Sequence, residues 1–165
     1  MTATSSYTPP ELQLHIQYAT PCAAAPRAQV EQWVQACLEV LAQNYELEAP
    51  TIELTLRFCN EAESQRLNRD YRQQDQPTNV LTFAYGLDPS VGSLSADIVI
   101  CVPVLHSEAK AQGKSHTDHA AHLCVHGVLH ALGFDHIDDQ EALEMEALEA
   151  QILQGLGISN PYNNN

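Results

Sequence analysis

The sequence predicts an α+β fold: a small mixed four-stranded sheet packed with about five helices. Three observations carry this. Segments with strand periodicity end near residue 102, and helical periodicity takes over from there to the end. The order of elements is β α β α β β α α α, which is neither the strict alternation of a doubly wound sheet nor an all-helical bundle. The length of 165 residues with 44% apolar composition suits one hydrophobic core rather than two.

Each element follows from its own pattern. Leu12, Leu14, Ile16 and Tyr18 alternate with polar residues, a strand. Pro26 precedes a helix whose apolar face is Val30, Trp33, Val34, Cys37, Val40 and Leu41. After Pro50, Ile52, Leu54, Leu56 and Phe58 alternate with Thr51, Glu53, Thr55 and Arg57, a strand with one wet face. Asn60 is placed to cap a helix over about 61–72, with Glu63 positioned to complete a capping box. Residues 78–85 and 96–102 are apolar on both faces and are expected to be central strands. A short helix over 103–112 ends at Gly113, and Ser115 or Thr117 caps the next, which runs to about 132. Its stripe is Ala121, Cys124, Val125, Val128, Leu129 and Leu132, and Gly133 suits the left-handed residue beyond its end. Asp138 with Glu141 opens a last helix, closed near Gly155. A single domain over 1–165 is expected, with an ordered core of about 11–157 and loose ends.

Charge and cysteine usage narrow the function classes. Seven Lys and Arg against 21 Asp and Glu give a formal charge of −14, which excludes a broadly basic nucleic-acid binder but leaves room for a local basic patch. No apolar run is long enough to span a membrane, and the start MTATSSYTPPELQ lacks the pattern of a signal peptide, so a cytoplasmic protein without a membrane partner is expected. Cys22, Cys37, Cys59, Cys101 and Cys124 are odd in number, widely spaced and set in apolar segments, so they read as reduced and buried.

Seven of the eight histidines lie between 106 and 136. His126 and His130 are one helical turn apart and project from one face, about 6 Å apart along the axis. The helix then stops at Gly133, and a Gly-Phe-Asp turn brings His136 back toward that face. Three neutral imidazoles suit Zn²⁺ and leave a fourth position for water, the pattern of a catalytic site. The metal site therefore sits on a helix that ends in a glycine turn. His119 and His122 precede the pair by further turns and are alternative ligands or neighbours of the ligands. Asp135 is placed either to orient a ligand imidazole or to cap the turn. The zinc-protease pattern H-E-x-x-H carries its general base directly after the first histidine, and here that position is Gly127.

Arg66, Arg69 and Arg72 recur at intervals of three along one helix, and no Lys or Arg follows Lys114. The row reads as a phosphate-binding face, since the planar guanidinium bonds two phosphate oxygens at once.

HGVLHALGFDH at 126–136 resembles the H-G-x-L-H-x-x-G-[YF]-D-H signature of the YbeY family, bacterial single-strand-specific endoribonucleases involved in ribosomal RNA maturation. LNRDYRQQDQPTNVLTF at 67–83 resembles the family's L-N-x-x-Y-R-x-x-x-x-P-T-[DN]-V-L-[ST]-F block, and ADIVIC at 96–101 and EALEMEALEAQIL at 141–153 resemble its following strand and last helix. The likeness covers about 50–157. Ala96 stands where Gly is usual and Ala131 where Leu is common; neither touches a ligand. The resemblance implies that His126, His130 and His136 bind one zinc per chain and that Arg72 is catalytic. It also implies single-stranded RNA, ribosomal RNA above all, as substrate, with action at the 16S 3′ end and in ribosome quality control, and the ribosome or its associated proteins as partners. Two other readings stay open at this point: a non-catalytic ribosome- or RNA-binding module with structural zinc, and a metal hydrolase of another substrate class.

Overall fold

The computed structural model describes residues 9–45, 47–134 and 137–162. Four strands, β1 (Glu11–Tyr18), β2 (Thr51–Cys59), β3 (Val80–Asp88) and β4 (Ser93–Cys101), form one sheet in the order β1-β2-β4-β3. β1 with β2 and β2 with β4 are parallel, and β3 runs antiparallel to β4. Five helices complete the domain: α1 (Arg27–Asn44), α2 (Glu61–Arg72), α3 (Val102–Gln112), α4 (His116–Ala131) and α5 (Asp139–Gly155). The mixed sheet, the helix count and the element order agree with the sequence reading.

Strand alternation divides the sheet into two faces. Ile52, Leu54, Leu56 and Phe58 of β2 and Ala96, Ile98 and Ile100 of β4 point to one side and are buried. They join Val30, Trp33, Val34, Cys37 and Leu41 of α1 and the buried residues of α4 and α5 in the main core. The other face carries a smaller cluster, Cys59, Leu81, Val99 and Cys101, onto which Leu67 and Phe83 pack. All five cysteines are buried and free.

One strand expectation is corrected. The segment 78–85 reads as central, yet β3 is an edge strand. Its two apolar faces have another cause. Val80 lies against Gly127 of α4 on one side, while Phe83 meets the Tyr71 ring of α2 edge-on on the other, with centroids 5.2 Å apart. At these positions each face of β3 meets a helix, so both carry apolar side chains although the strand lies at the edge of the sheet.

The caps are close to expectation. The Asn60 side chain accepts from Glu63 N at 2.9 Å, Ser115 from Asp118 N at 3.0 Å, and Asp138 from Glu141 N at 2.8 Å. The capping box at Asn60 is only half made. Glu63 instead takes the Arg57 guanidinium of β2, at 2.6 and 3.0 Å, and this pair holds its carboxyl below the usual range. A two-pronged bond to a cation outweighs one bond to a helix-end N–H.

α4 is the central element. It packs against α1, α3, α5, β3 and β4, and is buried on almost every side. Closest approach is at Gly127, where an added Cβ would stand 2.6 Å from Ile98 Cγ2. Ile98 is fully buried and β-branched, so it has little room to yield. Gly127→Ala is therefore expected to destabilise by about 1–2 kcal/mol, overpacking exceeding the gain in helix propensity. Gly155→Ala, at the end of α5 with nothing within 4 Å, is expected to be neutral or stabilising by up to about 1 kcal/mol. Chemical denaturation of the two variants checks the opposite signs; a Gly127→Ala protein as stable as the parent contradicts the close-packing argument.

Candidate metal centre

α4 begins at its Ser115 cap and carries His119, His122, His126 and His130. The spacing of three and four residues keeps these side chains on one side of the helix while they wind slowly round it. The outcome differs along the row. His119 is buried, and its Nε2 lies 2.8 Å from Glu108 Oε1 of α3. Burial holds its imidazole below the usual range, against the pull of Glu108. The same Glu108 accepts from Asn79 Nδ2 at 3.2 Å, so His119 and Glu108 together tie down the start of β3. In this position His119 braces the sheet through Glu108.

His126 and His130 lie ring to ring, with centroids 4.6 Å apart, in a cleft of about 420 Å³. The cleft runs along the β3 edge and is lined also by Arg72, Thr78, Asn79, Val80 and Thr82. The two imidazoles expected to act together are thus brought together, and Arg72 shares their cleft. His136 and Asp135 lie outside the described residues. Among the described residues, no three His, Cys, Asp or Glu side chains form a group that could hold a metal ion.

The arginine row does not survive as one face. A spacing of three residues turns about 300° around a helix, so each step slips back by roughly 60°. Arg72 lines the histidine cleft, whereas Arg66 lines a groove on the other face of the sheet with Arg57, Tyr71, Phe83 and Tyr85. Arg69 turns to acids, 3.3 Å from Asp70 and 3.9 Å from Asp75.

Two residues that the sequence reading did not single out stand behind His126. Glu149 of α5 is fully buried and accepts a short hydrogen bond from His126 Nδ1 on Oε1 and another from the Tyr162 hydroxyl on Oε2. His122 Nε2 lies 3.7 Å from the same carboxylate, beyond direct bonding. Burial pushes the Glu149 carboxyl up, but the polar groups of His122, His126 and Tyr162 around it outweigh burial and bring it down to about 2. Burial, and then the bond to this carboxylate, raise the Tyr162 phenol above its usual range. A signal for Glu149 was present: it interrupts the apolar stripe Met145, Leu148, Ile152 and Leu153, and a carboxylate in a core position needs a partner.

The donor chemistry fits a divalent transition metal. A histidine that gives Nδ1–H to a carboxylate is fixed in the tautomer whose Nε2 bonds a metal, and the carboxylate raises its basicity. Gly127 sits where a zinc protease carries its base, and Ile98 fills the space such a side chain needs.

Comparison with known proteins accords with this geometry. The family model described as "Endoribonuclease YbeY" matches residues 16–157. Curated relatives named Endoribonuclease YbeY include one from Bordetella petrii, 52% identical over 153 residues that cover 93% of this chain and 98% of that protein. The relative from Bordetella avium is 49% identical over 93% of this chain and 94% of its own length. That from Cupriavidus metallidurans is 48% identical over 94% of this chain and 75% of its own. The solution structure of TM1509 from Thermotoga maritima matches with a TM-score of 0.54 over 92% of this chain and 100% of that one; at 18% identity it speaks for the fold alone. With half of its residues shared with these relatives over nearly its whole length, and the cleft histidines inside the matched region, the chain belongs to the YbeY endoribonuclease family.

Proposed function

We propose that this protein is a zinc-dependent endoribonuclease specific for single-stranded RNA, acting in the cytoplasm on ribosomal RNA, including the 3′ end of 16S RNA, and in ribosome quality control. The observation that carries the reading is one cleft holding His126, His130 and Arg72 at the β3 edge. His126 and His130 are two zinc ligands and His136, three residues past Gly133, is the third. When bound, zinc supplies Lewis acidity and lowers the pKa of water.

The chain's own groups do the rest. Arg72 ends α2 and lines the cleft together with the imidazoles, and its guanidinium offers two parallel N–H groups to non-bridging phosphate oxygens. That charge stabilises the crowded phosphorus of the transition state more than the ground state. Asn79, fastened through Glu108, holds the cleft wall in register. The formal charge of −14 repels free RNA, which favours delivery of the substrate by the ribosome or a bound ribosomal protein.

Metal content tests the ligand set. One zinc per chain is expected, lost in His126→Ala, His130→Ala and His136→Ala and kept in His119→Ala and His122→Ala, as read by elemental analysis after dialysis. Full retention in His136→Ala overturns the three-ligand assignment.

The zinc-free protein is expected to stay folded with a lower Tm, because the core is complete without metal and loses only ligand stabilisation. Circular dichroism with and without chelator checks this, and complete unfolding on chelation would instead favour a binding module with structural zinc.

Arg72→Ala is expected to slow single-turnover cleavage of one single-stranded RNA by about 10²–10³-fold with zinc content and Tm unchanged. Arg72→Lys keeps charge but loses the fork, so partial recovery is expected. Cleavage by Arg72→Ala at the parent rate, with zinc retained, shows that the guanidinium is not a phosphate clamp.

A further inference from the structure

A fully buried carboxylate in the middle of an apolar helix stripe is an expensive choice. Leu at position 149 would continue the packing of Met145, Leu148, Ile152 and Leu153, and replacing a buried charge by a well-packed apolar side chain is often neutral or stabilising. The carboxylate is instead retained and completely served. An ionised carboxylate only accepts, so each of its partners must donate. His126 Nδ1–H donates to Oε1, and the Tyr162 hydroxyl donates to Oε2. The Tyr162 oxygen, its one proton committed, can only accept at its 3.3 Å approach to His122 Nε2. The chain of bonds therefore has one direction: His122 Nε2–H to Tyr162, Tyr162 to Glu149, and His126 Nδ1–H to Glu149 from the other side. His122 Nδ1, left as an acceptor, is buried without a hydrogen-bond partner among the described residues.

The His126 ring forms a wall between two spaces. One side lines the cleft with Arg72 and His130; the other lines a smaller cavity with Glu149, Tyr162, Met145 and Ala142. Tyr162 lies past α5, in the tail that the sequence reads as loose. Its described part returns to the helix: Ile158 N bonds Leu153 O at 2.9 Å, the Tyr162 hydroxyl bonds Glu149, and within the turn the Asn160 side chain accepts from Tyr162 N at 2.9 Å.

We propose that Glu149 and Tyr162 are positioning residues for the metal ligand His126: they fix its tautomer and ring angle from behind, so that the segment after α5 sets how tightly the zinc is held. The proposal rests on His126 being a ligand, and it adds two residues from a separate helix and its tail. It also assigns His122 a place outside the ligand set, as the donor that holds the Tyr162 oxygen.

The test is zinc affinity of purified full-length protein, measured by competition with a chromophoric chelator, together with the visible spectrum of the Co²⁺-loaded form. Glu149→Gln keeps the shape and removes the charge; zinc affinity is expected to fall about 10–100-fold. Tyr162→Phe removes one hydroxyl from a surface segment and is expected to lower affinity roughly 2–10-fold while leaving the fold intact. Both variants are expected to bind one zinc at saturation and to shift the cobalt bands. Ile152→Val, a buried change on the same helix, lowers Tm and is expected to leave affinity and spectrum at parent values. His126→Ala is run alongside. If it loses zinc while Glu149→Gln and Tyr162→Phe bind as tightly as the parent, the ligand reading stands and the positioning role is overturned. If His126→Ala itself binds like the parent, the ligand reading falls and the proposal with it. Should Glu149→Gln fail to fold, Tyr162→Phe decides alone.

Discussion

Gly127 lets α4 lie against β4 at a distance that one methyl group would prevent, with Ile98 Cγ2 in the space a side chain would take. Much of the architecture depends on that contact. A helix so close to the sheet is buried on almost every side, and α1, α3 and α5 pack round what remains of it. Of the five histidines on this helix, those turned inward need partners from outside it. Glu108 of α3 serves His119, and Glu149 of α5 serves His126. Near the end of α4, beside the edge strand, His126 and His130 line a cleft.

The elements and most caps were legible because they rest on local chemistry: period-2 and period-3.6 patterns, and Asn, Ser and Asp at the helix starts. The errors came where distant segments compete for the same group. Glu63 forsook its capping box for Arg57, a residue of the preceding strand. β3 was apolar on two faces because α2 meets one and α4 the other, and a strand covered on both faces reads like a central one. In the site, the pairing of His126 with His130 could be read from their spacing, since one helical turn fixes it. The place of Arg72 rested on family likeness, and the row that seemed to include it dissolved once the helix turned Arg66 toward the opposite face. Glu149 escaped notice for a different reason. Its acidic neighbours Glu144 and Glu146 made the whole segment look like a solvated helix, and only the stripe of buried positions sets Glu149 apart from them.

His126 and His130 have the spacing of the two histidines in H-E-x-x-H, but the residue after the first is Gly127. The position that would carry a base faces β4 and is closed by Ile98. A side chain at this position would have to displace Ile98, so the packing disfavours a proton acceptor on α4 directly after His126. The other polar groups lining the cleft belong to the end of α2 and to the start of β3 and the loop before it: Arg72, Thr78, Asn79 and Thr82.

This division also accounts for how a chain with a formal charge of −14 can receive a phosphodiester. The described residues lining the cleft are one guanidinium, two imidazoles, two hydroxyls, an amide and a valine, with no carboxylate among them. Glu108 and Glu149 are engaged behind this wall by Asn79, His119, His126 and Tyr162. Their negative charge is spent on orienting the wall. An anion in the cleft therefore meets donors first, while the surrounding acidic surface discourages any polyanion that is not brought to this edge in the right orientation. A formal charge of −14 and a phosphodiester substrate are then compatible, because the acids behind the cleft wall are already paired and its lining offers donors.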